Sequence, residues 1–300
     1  MPVKRALVVG SAGLETSLKL GAFPLPDASS YQPGRLELNV SGVGYNVARA
    51  LQTLGTPVRL ASVVGPDTVG SFVRAELQQR DVDTSYLHAA ERSGRSLVVS
   101  DAGGARHVHT DLGSVAGAVY PPERFDEALE GCALAVLSNI EYARPLLSRA
   151  QTAGVPISTD LHAIRGLDNP YDQDFLRAAT LLFFSGEHLQ NVHETVSDLR
   201  GRFDPEVVVV GLGAAGALLS ERGREPVRVP AFPAPQLLST VGAGDALHAA
   251  FCHFWLGGER PEDALRLACA FAAKKIAAGT GAQGFVDEAE VRRLVGPNPP

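Results

Sequence analysis

Short, largely apolar segments recur along this chain, and stretches of helical periodicity lie between them. The apolar segments are Ala6–Gly10, Val58–Val64, Ala133–Leu137, Val155–Thr159, Thr180–Phe184 and Val207–Val210. Segments of this kind are typical of strands that are buried on both faces. The helical patterns cover Val43–Leu54, Val69–Gln79, Pro122–Leu129, Ala143–Ala153 and Tyr171–Ala179. Their alternation with strands predicts a three-layer α/β/α fold around a mostly parallel sheet.

Two stretches interrupt this alternation and predict a second, smaller sheet. Residues 14–40 end in Arg35–Val40, which has the two-residue period of a strand. Ser96–His109 has the pattern of a hairpin around the glycine-containing turn Asp101–Ala105. We expect these segments, at about 14–40 and 95–112, to form a small β-sheet lid on a single large domain of residues 1–300. Ordinary surface hairpins are the alternative on pattern alone.

Composition and charge exclude several classes of protein. The 300 residues are 45% hydrophobic and 20% charged, which suits a large core and argues against disorder. A net charge of −6 without a basic tract argues against a nucleic-acid partner. No apolar run approaches the roughly eighteen residues of a membrane span, and no signal peptide is recognisable, so we expect a cytoplasmic protein with no membrane partner. Cys132, Cys252 and Cys269 lie in apolar runs without a CxxC pair, which predicts buried free thiols and no structural zinc.

A glycine motif of the form GxGxxG, at Gly211, Gly213 and Gly216, follows the last apolar strand. In dinucleotide-binding folds this motif opens a helix whose N-terminus holds the pyrophosphate. Here a hairpin pattern follows it, and Val229–Gln236 lacks the acidic residue expected about 20 residues later. The sequence therefore argues against a dinucleotide site and leaves open a glycine turn beside a nucleotide.

A second glycine loop, Ser239–Asp245, precedes the helical patterns Ala246–Leu256 and Pro261–Ala278. Two glycines separated by Ala243 let successive backbone N–H groups converge, and the helix behind them adds its positive end. Such a loop suits a phosphoryl group in transfer, and Asp245 in the first turn suits a base for an attacking hydroxyl. A capped helix start without chemistry is the alternative from the local pattern.

Together with the glycine-rich element Ser41–Asn46, this loop resembles the ribokinase-like (PfkB-type) carbohydrate kinase family. The order and spacing of the two elements, the early strand and the lid segments agree with that family over nearly the whole chain. The resemblance implies a kinase that transfers a phosphoryl group from ATP, with Mg²⁺, to a hydroxyl, preferably primary, of a sugar or sugar-like substrate. A nucleoside or pseudouridine kinase of the same family and a non-catalytic sugar- or nucleotide-binding member are the alternatives.

The resemblance also implies roles for individual residues. Asp245 would take the proton from the substrate hydroxyl, and the backbone of Gly242, Ala243 and Gly244 would form an anion hole. The sugar site would comprise Glu15, Gly42, Val43, Gly44, Asn46 and Glu141. The nucleotide site would comprise Gly211, Gly213, Gly216, Thr240, Ala270 and Lys274. Glu187 would contribute to the Mg²⁺ site through a bound water.

This chain departs from the family pattern at three positions. Ser239 replaces an Asp that helps relatives to bind a monovalent cation, so K⁺ activation is an open question. In the metal-side segment Ser185–His188, Ser185 replaces an Asn and Glu187 falls one position early. Glu15 replaces an Asp and is longer by one methylene, about 1.3 Å. The longer side chain predicts a sugar pocket that differs from that of ribokinase itself.

Three further residues have a place in the pattern but no motif of their own. Asp160 ends a strand at the expected ligand-binding edge of a parallel sheet, which suggests a substrate or magnesium role. Arg106 and Arg165 would reach phosphate or substrate, or would simply be solvated.

By analogy with the family, an apolar lid sheet would pair with a second copy and give a homodimer.

Two pairs of basic residues also leave alternatives open. His107 and His109 share one face of a lid strand, where they would be surface residues, substrate contacts or metal ligands. Lys274 and Lys275 would approach the nucleotide or lie on a solvated helix face.

Overall fold

The computed structural model describes residues 4–24, 36–101, 106–234 and 236–296. Its strands are β1 Arg5–Val9, β2 Gly13–Lys19, β3 Leu36–Ser41, β4 Val58–Val64, β5 Leu87–Ala89, β6 Arg95–Ser100, β7 Arg106–Asp111, β8 Cys132–Leu137, β9 Ile157–Ala163, β10 Leu181–Ser185, β11 Val207–Gly211, β12 Ala217–Glu221 and β13 Val227–Val229. The main sheet has the order β13-β12-β11-β10-β9-β8-β1-β4-β5. Neighbours from β11 to β5 run parallel, and β12 and β13 are added antiparallel at one edge. The predicted mostly parallel sheet is confirmed.

Helices cover both faces of this sheet. They are α1 Val43–Leu54, α2 Thr68–Gln79, α3 Pro122–Leu129, α4 Leu147–Thr152, α5 Gln173–Ala178, α6 Val192–Arg202, α7 Ala243–Gly257, α8 Pro261–Lys275 and α9 Glu288–Val295. Alternate residues of a strand point to opposite faces, and in β1 Ala6 and Val8 pack in one cluster with α1, α2, α7 and α8. Leu7 and Val9 pack in the other cluster with α3, α4, α5 and α6. The predicted α/β/α layering is therefore confirmed.

The lid is a separate four-stranded sheet with the order β3-β2-β6-β7. Strand β2 pairs antiparallel with β3 and parallel with β6, and β6 and β7 form the predicted hairpin. The expected second, smaller sheet is confirmed. Residues 25–35 of the predicted lid segment and residues 102–105 of the predicted turn lie outside the described residues.

The predicted helix over Ala143–Ala153 is wrong in its first half. A 3₁₀ turn spans Glu141–Leu146, and the α-helix begins only at Leu147. Pro145 lies inside that turn and has no N–H for an α-helical hydrogen bond. The apolar spacing that suggested a longer helix reflects burial of both segments and not one continuous conformation.

Strand β9 also differs from its prediction, since it begins at Ile157 and continues to Ala163 instead of covering Val155–Thr159. Its last residues include Asp160 and His162, which a search for apolar runs does not mark as strand. Apolar periodicity likewise misses α6, α9 and β5. The extension of β9 carries its polar end to the edge of the sheet where the site described below lies.

The three cysteines are buried free thiols, as predicted. Burial raises the pKa of the Cys252 and Cys269 thiols to about 12, so both stay protonated at neutral pH. Within the described ranges, no helix has the length and apolar content needed to cross a membrane.

Candidate active site

Helix α7 begins directly behind the Ser239–Asp245 loop, at a turn that requires glycine. Gly242 has a φ of +74° and stands at the start of the helix. A Cβ at this position would lie 2.5 Å from the carbonyl oxygen of Gly281. Both the left-handed conformation and the close approach exclude a larger side chain.

The N-terminus of α7 supplies hydrogen-bond donors for the predicted anion hole. The first helical bond runs from the Ala246 N–H to the Gly242 carbonyl at 2.9 Å. The N–H groups of Gly244 and Asp245 precede this bond and face out of the helix end, where the positive end of the helix dipole favours an anion. The Ala243 N–H instead closes a turn inside the loop at 3.2 Å.

Asp245 and Asn46 meet although 199 residues separate them in the chain. The Asn46 side chain donates a hydrogen bond from Nδ2 to Asp245 Oδ2 at 2.7 Å. Both side chains are buried. Burial raises the pKa of the Asp245 carboxyl above its usual value, and the bond from Asn46 opposes that rise. The two family elements of the sequence therefore form one site.

The lid contributes Glu15 to the same site. Glu15 is only 2% exposed, and burial raises the pKa of its carboxyl while a hydrogen bond with Ser41 lowers it. Ser41 Oγ also lies 3.5 Å from Asn46 Oδ1. A buried carboxylate, a hydroxyl and an amide thus line one wall, which suits the hydroxyl groups of a sugar.

Two more polar side chains on the inner face of the lid were not predicted. Asn39 is the cross-strand partner of Glu15, and Ser17 follows Glu15 by two residues, so all three point to one face. Among the described residues, Asn39 Nδ2 and Ser17 Oγ are buried without a hydrogen-bond partner. Buried polar atoms normally have partners, so these two atoms suit a polar ligand.

Glycines 42 and 44 let the sugar-side element approach the first strand. Gly42 has a φ of +117°, and a Cβ there would lie 2.6 Å from the Ser11 carbonyl oxygen. A Cβ on Gly44 would lie 2.4 Å from the Gly10 carbonyl carbon. The side chain of Val43 packs against the core. This element therefore offers mainly backbone and Asn46 to a ligand.

The predicted nucleotide-side glycines follow β11. A 3₁₀ turn over Gly213–Ala215 leads directly into the β12–β13 hairpin, which confirms that no helix follows the motif. The Gly186 N–H donates to the Gly211 carbonyl at 2.9 Å, so the loop with Glu187 lies beside this turn. Glu187 is exposed and available to a solvated ligand. Both loops follow carboxyl ends of parallel strands, the usual ligand edge of such a sheet.

Other predicted nucleotide residues differ in their surroundings. Thr240 Oγ1 accepts a hydrogen bond from Arg106 of the lid, so Arg106 is engaged with the glycine loop and not simply solvated. Ala270 is buried in the core of α8. Lys274 forms an ion pair with Glu290 at 3.4 Å. Thr240 therefore lies in the glycine loop next to the lid, whereas Ala270 packs in the core and Lys274 is held by an ion pair.

Two acidic candidates, Asp160 and Glu141, differ from each other in burial and in the groups they contact. Asp160 is 8% exposed and accepts the His162 N–H at 2.8 Å, and its Oδ2 lies 3.7 Å from where a Cβ on Gly244 would be. Asp160 therefore faces the start of α7. Glu141 pairs with Arg144 at 3.5 Å, and its side chain is 52% exposed.

The remaining basic candidates lie at the surface. His107 stacks on Phe23 with ring centroids 4.7 Å apart. His109 and Arg165 are exposed. These contacts agree with the surface alternative for the three residues.

Comparison with known proteins agrees with this geometry. Residues 4–134 and 175–287 match the pfkB family of carbohydrate kinases. The chain belongs to that family. It is 28% identical to an acarbose 7(IV)-phosphotransferase of an Actinoplanes strain, over 96% of this chain and 97% of that protein.

Solved structures of family members show the same fold. A microbiome-derived acarbose kinase superimposes with a TM-score of 0.89 at 26% identity, covering 97% of this chain and 99% of that one. Arabidopsis thaliana ribokinase, solved with ribose and ATP, superimposes with a TM-score of 0.81 at 22% identity, covering 98% and 99%. The resemblance seen in the sequence is confirmed: this pfkB-family chain has the ribokinase-like fold and is a sugar kinase.

One residue of this pfkB-family site contradicts the expectation of a solvated helix face. Lys275 is fully buried at the end of α8, and its Nζ donates a hydrogen bond to the Val241 carbonyl of the glycine loop. The sequence spacing already indicates this burial, because Lys275 follows the buried Phe271 by four residues and the buried Ala268 by seven, which puts all three on one helix face. Helical periodicity therefore places Lys275 on the apolar face of α8.

Proposed function

We propose that Asp245 is the base of this kinase and that Asn46 and Glu15 hold the sugar. The observation that carries the proposal is the 2.7 Å bond between Asn46 and Asp245, which joins the sugar-side element to the start of α7. Burial raises the pKa of Asp245, and a base with a raised pKa accepts a proton more readily near neutral pH. A base for the hydroxyl, groups that position the acceptor and backbone donors for the transferring group are parts that phosphoryl transfer uses.

In the proposed reaction the Asp245 carboxylate accepts the proton of the substrate hydroxyl. The hydroxyl oxygen forms a bond to the γ-phosphorus of ATP, and the bond from that phosphorus to the bridging oxygen breaks. The bridging oxygen keeps the electron pair and leaves as part of ADP. Backbone N–H groups of Gly242, Gly244 and Asp245 stabilise the negative charge on the transferring group.

The lid closes the proposed site. Arg106 of the lid bonds to Thr240 of the glycine loop, and Glu15 of the lid is buried beside the sugar-side wall. A closed lid excludes water, which would otherwise accept the phosphoryl group in place of the substrate. The closed lid therefore favours phosphoryl transfer to the sugar hydroxyl over hydrolysis of ATP by water.

Mg²⁺, which the family implies, fits this site as a companion of the nucleotide. In the ranges that the structure describes, no three His, Cys, Asp or Glu side chains are grouped to hold a metal ion. Mg²⁺ commonly takes one or two carboxylates with water and substrate phosphates, and Asp160 and Glu187 are the residues that would provide them. When bound, the ion neutralises charge on the phosphates of ATP.

The acceptor that we propose is a sugar or sugar-like molecule with a primary hydroxyl, and the two acarbose-kinase relatives extend the candidates to pseudo-oligosaccharides. A cytoplasmic location is part of this proposal, and the need for ATP and the three free thiols support it. A panel of monosaccharides, maltose-type oligosaccharides, acarbose and nucleosides, scored by ADP release from Mg-ATP, tests the proposal. We expect turnover with at least one sugar or acarbose. Turnover with nucleosides alone would favour a nucleoside kinase, and none would favour a binding protein.

We also propose that the outer face of the lid forms a homodimer contact. Leu36 and Leu38 of β3 are 64% and 60% exposed, and Leu97 of β6 is 41% exposed. Leu38 and Leu97 both pair with Thr16, so they lie in one row on the same face. We expect light scattering to give twice the mass of one chain, and Leu38→Asp to give one chain mass. A monomeric wild-type protein would contradict this proposal.

A further inference from the structure

The ammonium group of Lys275 lies under the glycine loop and is enclosed by protein. Lys275 has no exposed surface, and Nζ donates to the Val241 carbonyl. The Leu238 N–H donates to the Ile276 carbonyl at 2.9 Å, so a second hydrogen bond joins the end of α8 to the segment that leads into the loop. Burying a charged group costs several kcal/mol unless it is compensated. The burial of this ammonium group therefore needs a compensating interaction, and its contacts indicate what the group does.

The bond from Lys275 fixes the peptide group between Val241 and Gly242. A trans peptide holds its carbonyl and its N–H on opposite sides. An ammonium group on the carbonyl side therefore leaves the Gly242 N–H on the far side of the peptide plane. Positive charge at the carbonyl also polarises this N–H and strengthens it as a donor. The Gly242 N–H belongs to the proposed anion hole, so Lys275 acts on that hole through one peptide group.

Lys275 also sets the charge balance of the site. Burial lowers the pKa of Lys275 to about 8, whereas Asp245 and Glu15 raise it and Arg106 lowers it. Lys275 in turn lowers the pKa of both carboxyls against the effect of their burial. The ammonium group therefore favours the ionised form of Asp245, which is the form that a base requires.

A monovalent cation beside this loop does not fit the residues present. Position 239 holds a serine whose Oγ accepts the Val241 N–H at 3.2 Å. An alkali ion on the Val241 carbonyl would lie next to the Lys275 ammonium, which binds the same oxygen, and two like charges so close together repel each other strongly inside a protein. The place of such an ion is already taken by a positive charge.

We infer that Lys275 is a built-in monovalent cation: its ammonium group holds the Ser239–Asp245 loop and orients the Gly242 N–H, so phosphoryl transfer by this enzyme needs no alkali ion. Lys275 is a positioning residue, because it acts through the loop and Asp245 and does not touch the substrate. The inference rests on the proposed roles of Asp245 and its loop.

The first test compares the wild-type protein in KCl and in tetramethylammonium chloride at equal ionic strength. We expect the thermal unfolding midpoint to agree between the two salts and kcat to agree within about twofold, because a ligand that does not bind the native state cannot stabilise it. A potassium-dependent rise in either quantity would overturn the inference. The unfolding midpoint requires no turnover, so this test holds even if no substrate in the panel is phosphorylated.

The second test uses Lys275→Ala, with Lys4→Met as a control that removes the same charge from an exposed residue. We expect kcat of Lys275→Ala to fall about 100-fold with the Kd for ATP changed less than about threefold. We expect KCl or NH₄Cl to restore kcat by about tenfold and to raise the unfolding midpoint of this variant, while Lys4→Met behaves as the wild type. An unchanged kcat, or a loss that neither salt relieves, would contradict the inference.

A second variant covers the case in which Lys275→Ala is unstable, and the unfolding midpoint covers the case in which Asp245 is not the base. If Lys275→Ala does not fold, Lys275→Met keeps the apolar stem of the side chain, and its kcat must still fall about 100-fold. If Asp245→Asn retains activity, the proposed base is wrong, but the potassium response of the Lys275→Ala unfolding midpoint still reports on the cation site. The two proposals can therefore fail independently.

Discussion

Replacement of Asp245 by Asn is expected to lower kcat by about 10³-fold, because general-base catalysis contributes roughly 10²–10⁴-fold and the amide cannot accept the proton. The two side chains have the same shape, and Asn46 still reaches an amide oxygen at position 245 after a rotation of the new side chain. We therefore expect the Kd for ATP to change by less than about threefold. Single-turnover rates and equilibrium ATP binding, measured on the same preparation, separate the two effects.

Asp126→Asn is a matched control for this substitution. Asp126 lies on α3 and forms an ion pair with Arg149 at the surface, remote in the fold from the start of α7. The same chemical change there is expected to leave kcat within about twofold, since exposed ion pairs contribute about 0–1 kcal/mol. If Asp245→Asn kept more than a few per cent of the wild-type kcat, Asp245 would not be the base.

Replacement of Gly44 by Ala is expected to have the largest effect on stability, a loss of about 2–3 kcal/mol in the free energy of unfolding. The added Cβ would lie 2.4 Å from the carbonyl carbon of Gly10, and both partners are backbone that cannot rotate away. The start of α1 must then move off β1 and carry Asn46 with it. Urea unfolding should show a lower midpoint with an unchanged slope.

Gly201→Ala separates this steric effect from the general effect of replacing glycine. Gly201 lies in α6, and a Cβ there would meet nothing within 4 Å. Alanine is favoured over glycine inside a helix by about 0.5–1 kcal/mol, so this variant should be as stable as the wild type or more stable. Equal destabilisation of the two variants would show that crowding at Gly10 is not the cause.

Predictions from the sequence succeeded where one local pattern determines the structure. Apolar spacing defines α1 at both ends, and the lid hairpin follows from two polar–apolar strands around a glycine-containing turn. The residues after Gly216 exclude a helix, which the β12–β13 hairpin confirms. The error over Ala143–Ala153 has a local cause as well, because Pro145 interrupts an apolar pattern that both a 3₁₀ turn and a helix satisfy.

Predictions for the site were complete only where a motif named the residue. Asn46 and Asp245 belong to recognisable elements, and the structure brings them to 2.7 Å. Asn39 and Ser17 belong to no element, and their importance appears only when pairing with β2 places them beside Glu15. Thr240 and Arg106 meet only because the lid folds over the loop.

The sequence by itself determined the layered α/β/α fold and the lid sheet, because periodicity and turn signals are local properties of the chain. The spacing of Lys275 from the buried Ala268 and Phe271 indicates the apolar face of α8, although the prediction from the sequence left a solvated helix face open. Only the tertiary structure decided what that lysine faces, namely the Val241 carbonyl and the carboxyls of Asp245 and Glu15. The helical spacing of apolar residues indicates that a side chain is buried. Which atoms it contacts depends on how distant segments of the chain pack against each other.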